Sequence, residues 1–158
     1  MLSSKSLLSS LSLFADDMAL YRTIHSIDDY FTLQSDISSL SSWIRSISLS
    51  LQPAKCCAMI ISRKRSHTIA PPTLHIEGVP LPFVTSIKYL GVLITSNLSW
   101  FQHVANIHTK VRQLIGMLFR RFYKNADPGT LLQLYKFFIM PHLEYCSAVW
   151  DPNPCQRY

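Results

Sequence analysis

Residues 11–21 read Leu-Ser-Leu-Phe-Ala-Asp-Asp-Met-Ala-Leu-Tyr, with two short apolar runs on either side of a pair of aspartates. Such runs around a polar pair are typical of a β-hairpin that carries the pair at its tip. Two adjacent carboxylates can bind a hard divalent cation such as Mg²⁺, which prefers oxygen ligands. Simple turn chemistry is the alternative interpretation of Asp16 and Asp17, because aspartate is common in turns.

Three segments outside this hairpin have helical signals. Apolar residues recur at steps of four and three over 33–47, and Asp28 is the predicted N-cap of that helix. A second stripe with the same spacing covers 104–118. The pair Asp-Pro at 127–128 indicates the start of a third helix, which Pro141 is expected to end.

Short β-rich segments lie between these helices. Residues 57–61 and 86–94 are predicted strands, the latter with Gly91 as a bulge or a point of close backbone approach. A small hairpin is predicted around Glu77-Gly78. Together these elements predict an α+β chain whose helices are concentrated towards its end.

Composition excludes several classes of protein. With 158 residues, 48% of them apolar and 15% charged, the chain has the composition of a folded domain and not of a disordered one. No apolar run approaches the roughly 20 residues of a membrane span, so no membrane partner is expected. The four cysteines match no zinc-binding spacing, and we interpret them as reduced thiols of an intracellular protein, nuclear or cytoplasmic. They are Cys56, Cys57, Cys146 and Cys155.

Charge is distributed unevenly along the chain. Residues 1–62 contain 4 basic and 5 acidic side chains, a net charge of −1, whereas residues 63–158 contain 11 basic and 4 acidic ones, a net charge of +7. Acidic chemistry is therefore expected in the first part, and contact with a polyanion in the second.

Five motifs, in this order, resemble those of the reverse transcriptases of non-LTR (LINE-like) retrotransposons. The first is the Phe-Ala-Asp-Asp box of the hairpin, and the others follow it in the order that the family shows. The matching segments are 14–17 (Phe-Ala-Asp-Asp), 51–56 (Leu-Gln-Pro-Ala-Lys-Cys), 88–92 (Lys-Tyr-Leu-Gly-Val), 98–104 (Leu-Ser-Trp, then His-Val) and 141–150 (Pro-His-Leu-Glu-Tyr-Cys-Ser-Ala-Val-Trp).

This resemblance implies roles for residues in the first half of the chain. Asp16 would be a Mg²⁺-binding carboxylate of the polymerase palm, and Asp17 its partner. Lys55 would lie near the phosphates of the incoming dNTP in the parent enzyme. Tyr89, Leu90 and Gly91 would form the strand that grips the primer. The alternatives are a solvated loop lysine at position 55 and an ordinary core strand at 89–91.

The resemblance also implies that the last helices form a thumb on the template–primer duplex. Their basic side chains would contact phosphates of an RNA template and an RNA–DNA or DNA duplex without reading sequence. For any one of them, an ordinary solvated helix face is the alternative. The candidates are Lys110, Arg112, Arg120, Arg121 and Lys124.

The implied fold is therefore a partial reverse-transcriptase palm followed by a thumb-like region. Residues 1–62 would be the C-terminal part of the palm with the Phe-Ala-Asp-Asp hairpin. Residues 63–99 would hold a basic loop and a primer-grip-like hairpin, and residues 100–158 the thumb-like helices.

The sequence also departs from the family. An upstream palm aspartate, a nucleotide-binding motif and the fingers precede the hairpin in the family, and we find none of them here. The sequence-based expectation is a truncated remnant that is inactive alone and self-associates through exposed palm surface. A non-catalytic module that binds RNA or RNA–DNA hybrid, and a fragment with no function of its own, are the alternatives.

Overall fold

The computed structural model describes residues 7–62, 70–124 and 126–151. The chain forms two compact units, Met1–Thr85 and Ser86–Tyr158. Most of the predicted basic loop, residues 63–69, lies outside the described residues. Within the described part of the chain, no helix combines the length and hydropathy needed to cross a membrane.

The first unit contains the predicted aspartate hairpin, one long helix and a second, smaller hairpin. Strands β1 and β2 pair antiparallel, with Phe14 opposite Asp17, which confirms the prediction for residues 11–21. The smaller hairpin around Glu77-Gly78 is also confirmed. The elements are β1 (Ser10–Phe14), β2 (Asp17–Tyr21), α1 (Ile27–Ser46), a 3₁₀ turn (Pro53–Lys55), β3 (His75–Ile76) and β4 (Val79–Pro80).

Helix α1 begins two residues earlier than the sequence indicates, because its N-cap is Ser26 and not Asp28. The Asp29 carboxylate accepts hydrogen bonds from the backbone N–H groups of His25 and Ser26, at 2.9 and 3.0 Å. These two bonds, followed by one from Arg22, lower the pKa of Asp29 from 3.8 to about 2. The prediction failed because Asp28 lies within the first turn, and Ser26 forms a capping box with Asp29 three residues later.

The core of the first unit lies between α1 and the smaller hairpin. It consists of Ile37, Leu74, Ile76 and Leu81, and Leu20 of the aspartate hairpin packs against it. The predicted strand 57–61 is wrong: an isolated bridge between Ala58 and Phe83 takes its place. Residues 56 and 58 also pack against the core, so the apolar run there reflects burial and not strand pairing.

The second unit begins with a hairpin where the sequence predicted one strand. The elements are β5 (Ser86–Tyr89), β6 (Val92–Thr95), α2 (Phe101–Phe122), α3 (Pro128–Leu134), a π-helical segment (Tyr135–Ile139), α4 (Met140–Glu144) and α5 (Ser147–Trp150). Leu90 and Gly91 form the two-residue turn, with φ angles of 46° and 83°. Positive φ at both positions is the geometry of a type I′ turn, so Gly91 lies between two strands and is not a bulge within one.

Helix α2 packs against the last helices of the second unit. Val111 and Leu118 are buried with Ile139, and Leu134 and Leu143 pack against them. Val111 and Leu118 belong to the apolar stripe that the sequence predicted over 104–118, whereas Val104 at its start is 44% exposed.

The sequence predicts that Pro141 ends the third helix, but the structure contradicts this prediction. The helical path continues through the π-helical segment, and Pro141 lies in the first turn of α4. A proline has no N–H to donate one turn back, and the wider π turn before it accommodates this loss. The described residues therefore have a mixed α+β fold with three small antiparallel strand pairs.

Candidate functional site

Asp16 and Asp17 are exposed at the tip of the β1–β2 hairpin. Ala15 and Asp16 form the turn, and Ala15 has a φ of 51°. Side chains three residues apart on a strand point to opposite faces, so Asp17 faces away from the side on which Leu20 packs on the core. The hairpin thus presents two adjacent carboxylates to solvent while its other face is anchored.

A buried carboxylate of α1 holds the start of this hairpin. Asp36 is only 6% exposed. Its two oxygens accept hydrogen bonds from the backbone N–H groups of Leu8, at 3.3 Å, and Ser9, at 2.7 Å. A charged acceptor for two backbone donors is among the stronger hydrogen-bonding arrangements in proteins. Asp36 therefore fixes the position of the backbone just before β1 begins, a role that the sequence did not reveal.

An arginine joins both ends of the hairpin to the same helix. Arg22, directly after β2, donates to the Leu8 carbonyl at 3.0 Å. Its Nη2 also lies 2.9 Å from the Asp29 carboxylate at the start of α1. The two strands are consequently clamped at the end opposite the aspartate tip, which limits rotation of the hairpin on α1.

The other candidate of the first unit, Lys55, is exposed at the end of the 3₁₀ turn. Among the described residues, no side-chain hydrogen bond or ion pair joins it to Asp16 or Asp17. In that part of the chain, no cluster of three or more His, Cys, Asp or Glu side chains suited to a metal is present. The structure thus places two carboxylates at the hairpin tip and brings no third ligand to them.

In the second unit, the Leu90-Gly91 turn is covered by a tyrosine from the C-terminal segment. The Tyr145 hydroxyl donates to the Leu90 carbonyl at 2.8 Å. A Cβ atom on Gly91 would lie 3.1 Å from Cε1 of the Tyr145 ring, closer than nearly all such contacts. Gly91 is thus required by the turn and by the neighbouring ring.

A buried histidine ties the same hairpin to α2. His103 is 6% exposed, and its Nδ1 accepts a hydrogen bond from the Leu93 N–H at 3.2 Å. Burial lowers the pKa of His103, which favours the neutral ring that this acceptor role requires. The ring lies edge-on to Trp150, with centroids 5.6 Å apart. Trp150 in turn donates to the Tyr145 carbonyl at 2.9 Å.

Three of the five motif segments therefore meet in one place. Segments 88–92, 98–104 and 141–150 supply the turn, the histidine and the two aromatic residues of this closed set of contacts. Their occurrence together in the sequence has a structural reason, because each supports the same hairpin.

The basic candidates are all exposed; four of them lie on different sides of α2, and Lys124 follows the end of the helix. Arg112 and Arg120 line a shallow groove of about 530 Å³ with His108, Thr109, Gln113 and Gly116. Lys110 is two residues from Arg112, and residues two apart do not share a helix face. Arg121 and Lys124 are not among the residues that line the groove.

An aromatic pair beside the groove was missed by the sequence interpretation. Phe119 and Tyr123 stack with ring centroids 4.2 Å apart and an interplanar angle of 24°. Both are more than half exposed, at 56% and 58%. Their spacing of four residues, outside the apolar stripe and among arginines, was the available signal.

The sequence is similar to proteins of Drosophila melanogaster retrotransposons. It is 28% identical over 148 residues to the "Probable RNA-directed DNA polymerase from transposon X-element". The aligned region covers 90% of this chain and 16% of that protein. It is also 26% identical over 81 residues to a 115 kDa protein of the type-1 retrotransposable element R1DM, covering 50% of this chain and 8% of that protein.

Other comparisons found no match: no protein-family profile fits the chain, and no solved structure resembles it. The chain thus spans less than a fifth of the length of the relatives it matches. The two relatives confirm the resemblance that the motifs indicated. By sequence, the chain is similar to a small part of the RNA-directed DNA polymerase of one Drosophila transposon and to a small part of a protein of a type-1 retrotransposable element.

Proposed function

We propose that the chain is a segment of a non-LTR reverse transcriptase that carries the catalytic aspartate hairpin and a nucleic-acid-binding helical region. The observation that carries this proposal is the exposed Asp16-Asp17 pair at the tip of a hairpin that α1 clamps from behind. A polymerase needs its metal-binding carboxylates solvent-accessible yet fixed in position. The relationship to retrotransposon proteins supports the same assignment.

The proposal divides the chain as the motifs suggest. Residues 1–62 would be palm, residues 63–99 would include the primer-grip hairpin, and residues 100–158 would be thumb. Tyr89, Leu90 and Gly91 would contact the primer end, and Lys55 the phosphates of the dNTP in the complete enzyme. Five basic side chains would contact the phosphates of an RNA template and of a duplex: Lys110, Arg112, Arg120, Arg121 and Lys124.

The donor set at the hairpin tip suits Mg²⁺. This ion is commonly held by one or two carboxylates, with water and substrate phosphates completing its octahedron, and Asp16 and Asp17 provide two adjacent carboxylates. When bound, Mg²⁺ would supply charge stabilisation to phosphoryl transfer. The protein's own contribution at this site is to hold the two carboxylates at a fixed distance from α1.

We further propose that the 158-residue chain does not polymerise by itself. In-line phosphoryl transfer needs metal ions placed against both primer and nucleotide, and two carboxylates on one hairpin tip are too few for that arrangement. Another polypeptide segment or another chain would supply the rest. Exposed apolar side chains on the hairpin, among them Phe14 and Tyr21, support self-association when that surface is not covered.

Primer extension on an RNA template in Mg²⁺ tests the catalytic part of the proposal. The purified chain alone should give no product, whereas a longer polypeptide in which the polymerase segments that precede this region in the family are joined to it should extend the primer. Asp16→Asn should abolish that extension, and Lys136→Gln, on the π-helical segment, is the control that should leave it intact. Extension by the chain alone, lost in Asp16→Asn, would refute the proposed inactivity.

A second candidate function is a non-catalytic nucleic-acid-binding module. It is favoured by α2, whose groove with Arg112 and Arg120 lies within one helix and needs no other segment. Charge reversal of Arg120 together with Arg121 tests it, with Lys136→Glu as a control for the loss of positive charge elsewhere. The double variant should bind an RNA–DNA hybrid much more weakly at low salt, and unchanged binding would exclude α2 as the binding surface.

A further inference from the structure

We propose that the groove face of α2 binds single-stranded nucleic acid, with an unpaired base stacked on the Phe119–Tyr123 pair and phosphates held by Arg112 and Arg120. This inference rests on the proposed nucleic-acid binding and adds the form of nucleic acid that the face accepts. The groove face is defined here as Arg112, Gly116, Phe119, Arg120 and Tyr123.

The first support is the exposed aromatic pair. Phe119 and Tyr123 stack on each other at 4.2 Å, and neither belongs to the cluster in which Val111 and Leu118 are buried. Both rings are more than half exposed, so apolar surface remains open to solvent beside the groove. Proteins that bind single strands stack successive bases on such aromatic platforms, which are tolerant of base identity.

The second support is the position of the pair relative to the arginines. At 100° per residue, the residues of the groove face lie within one third of the helix circumference, on the side away from Val111 and Leu118. Arg112 and Arg120 line the groove itself. Helix α2 contains no acidic residue, so nothing on it repels a phosphate. Aromatic and cationic groups therefore share one surface.

The third support is the glycine between the two arginines. A Cβ atom on Gly116 would meet only Nη1 of Arg120, at 3.6 Å, which is an ordinary van der Waals distance. Packing within the unit therefore does not require a glycine there, although glycine is unfavourable in the middle of a helix. The Arg120 guanidinium therefore lies beside Gly116, and a phosphate that follows the groove could meet it close to the helix backbone.

An unpaired strand fits this surface better than a duplex. Bases inside a duplex are already stacked and paired, so their faces are not available to a ring on a convex helix surface. A duplex would engage the arginines through phosphates and leave the aromatic pair without a partner. The pair is therefore the feature that distinguishes the two forms of nucleic acid.

The test compares a fluorescent oligothymidine with an abasic strand of the same length and charge. Phe119→Ala and Tyr123→Ala should each bind oligothymidine about tenfold more weakly, since each loses part of one stacking platform. Both should bind the abasic strand like wild type. Phe137→Ala, which removes a 74% exposed ring of the π-helical segment, is the matched control and should change neither affinity.

A second variant separates an effect on binding from an effect on folding. Gly116→Ala adds one methyl group to a position that has room for it, and we expect an unchanged or raised Tm together with several-fold weaker binding of both strands. Wild-type affinity for oligothymidine in Phe119→Ala and Tyr123→Ala, or equal losses on the abasic strand, would overturn the inference. If the wild-type chain binds neither strand at low salt, the proposed nucleic-acid function fails as well, which is a distinguishable result.

Discussion

At the scale of single residues, the most constrained position is Gly91. Its φ of 83° belongs to the left-handed region, and the Tyr145 ring occupies the space that a side chain would need. Gly78 has a similar φ of 80° but nothing within 4 Å of a built Cβ atom. Comparison of Gly91 with Gly78 therefore separates the energetic cost of the backbone conformation from the cost of a steric contact.

We predict that Gly91→Ala lowers the free energy of unfolding by about 2 kcal/mol, and Gly78→Ala by about 1 kcal/mol. The larger loss reflects displacement of Tyr145, which also donates to the Leu90 carbonyl. Urea denaturation of the purified variants measures both values. In a Tyr145→Ala background, the cost of Gly91→Ala should fall to that of Gly78→Ala, and an undiminished cost would show that the ring contact is unimportant.

Asp36 is the second residue whose role depends on its surroundings. Asp36→Asn keeps the shape of the side chain but leaves only one acceptor for the two N–H groups of Leu8 and Ser9. We predict a loss of about 2 kcal/mol in the free energy of unfolding, because hydrogen bonds to charged groups are strong and an unpaired buried donor is costly. The matched control is Asp28→Asn, an exposed aspartate of the same helix, which should cost less than about 0.5 kcal/mol.

The sequence allowed Asp16 and Asp17 to be placed at a turn because local alternation and a polar pair are sufficient for that prediction. It did not allow Asp36, Tyr145 or His103 to be assigned contacts. Each of these side chains meets a partner that is at least 10 residues away in sequence. Contacts of that kind arise from tertiary packing, which periodicity does not encode.

At the scale of elements, the start of α1 is stabilised by an ionised carboxylate. The pKa of Asp29 is about 2, below its usual 3.8, so the folded state favours the charged form. A lowered pKa contributes stability that is present above the unfolded value and is lost as pH falls through the folded value. We therefore predict that the stability of the first unit decreases between about pH 4 and pH 2.

Urea unfolding at a series of pH values, followed by hydrogen exchange in α1, measures this decrease. Asp29→Asn should be less stable than wild type at pH 6 and should show a shallower loss towards pH 2. Asp127, the N-cap of α3, has a pKa that the Thr130 side chain lowers in the same direction, so part of the slope belongs to the second unit. A wild-type slope in α1 of the Asp29→Asn variant would contradict the prediction.

Helix α2 offers a test of stability that is separate from binding. Gly116→Ala should raise the free energy of unfolding by about 0.5–1 kcal/mol, because alanine has the better helix propensity and its Cβ has room. Thermal denaturation followed by circular dichroism measures the change. A decrease in Tm would mean that the glycine is required by packing and would remove one support of the groove-face inference.

The elements themselves were predictable to different degrees. The regular apolar stripes correctly indicate the two long helices, whereas the sequence predicts one strand over 86–94, which is a hairpin in the structure. Leu90 and Gly91 form a type I′ turn, but only Gly91 is a sequence signal for it, because leucine rarely adopts a positive φ. The π-helical segment before Pro141 has no recognisable sequence signal at all.

At the scale of the whole molecule, each unit has a core of its own and a distinct chemical character. The first unit carries the exposed aspartate pair, and the second carries α2 with its arginines and the aromatic pair. The division of charge along the sequence anticipated only the basic character of the later part of the chain, because residues 63–158 have a net charge of +7 whereas residues 1–62 contain 4 basic and 5 acidic side chains. Which basic side chains share a surface could not be read from that division.

The most direct test of the proposed function is the salt dependence of binding to an RNA–DNA hybrid primer–template. We predict that the logarithm of the affinity falls linearly with the logarithm of the salt concentration, as released counterions require. Arg112→Ala with Arg120→Ala should make the slope shallower by about 2, since two phosphate contacts are lost. No affinity at low salt, or the same slope in the double variant, would contradict the central claim that α2 is a nucleic-acid-binding surface.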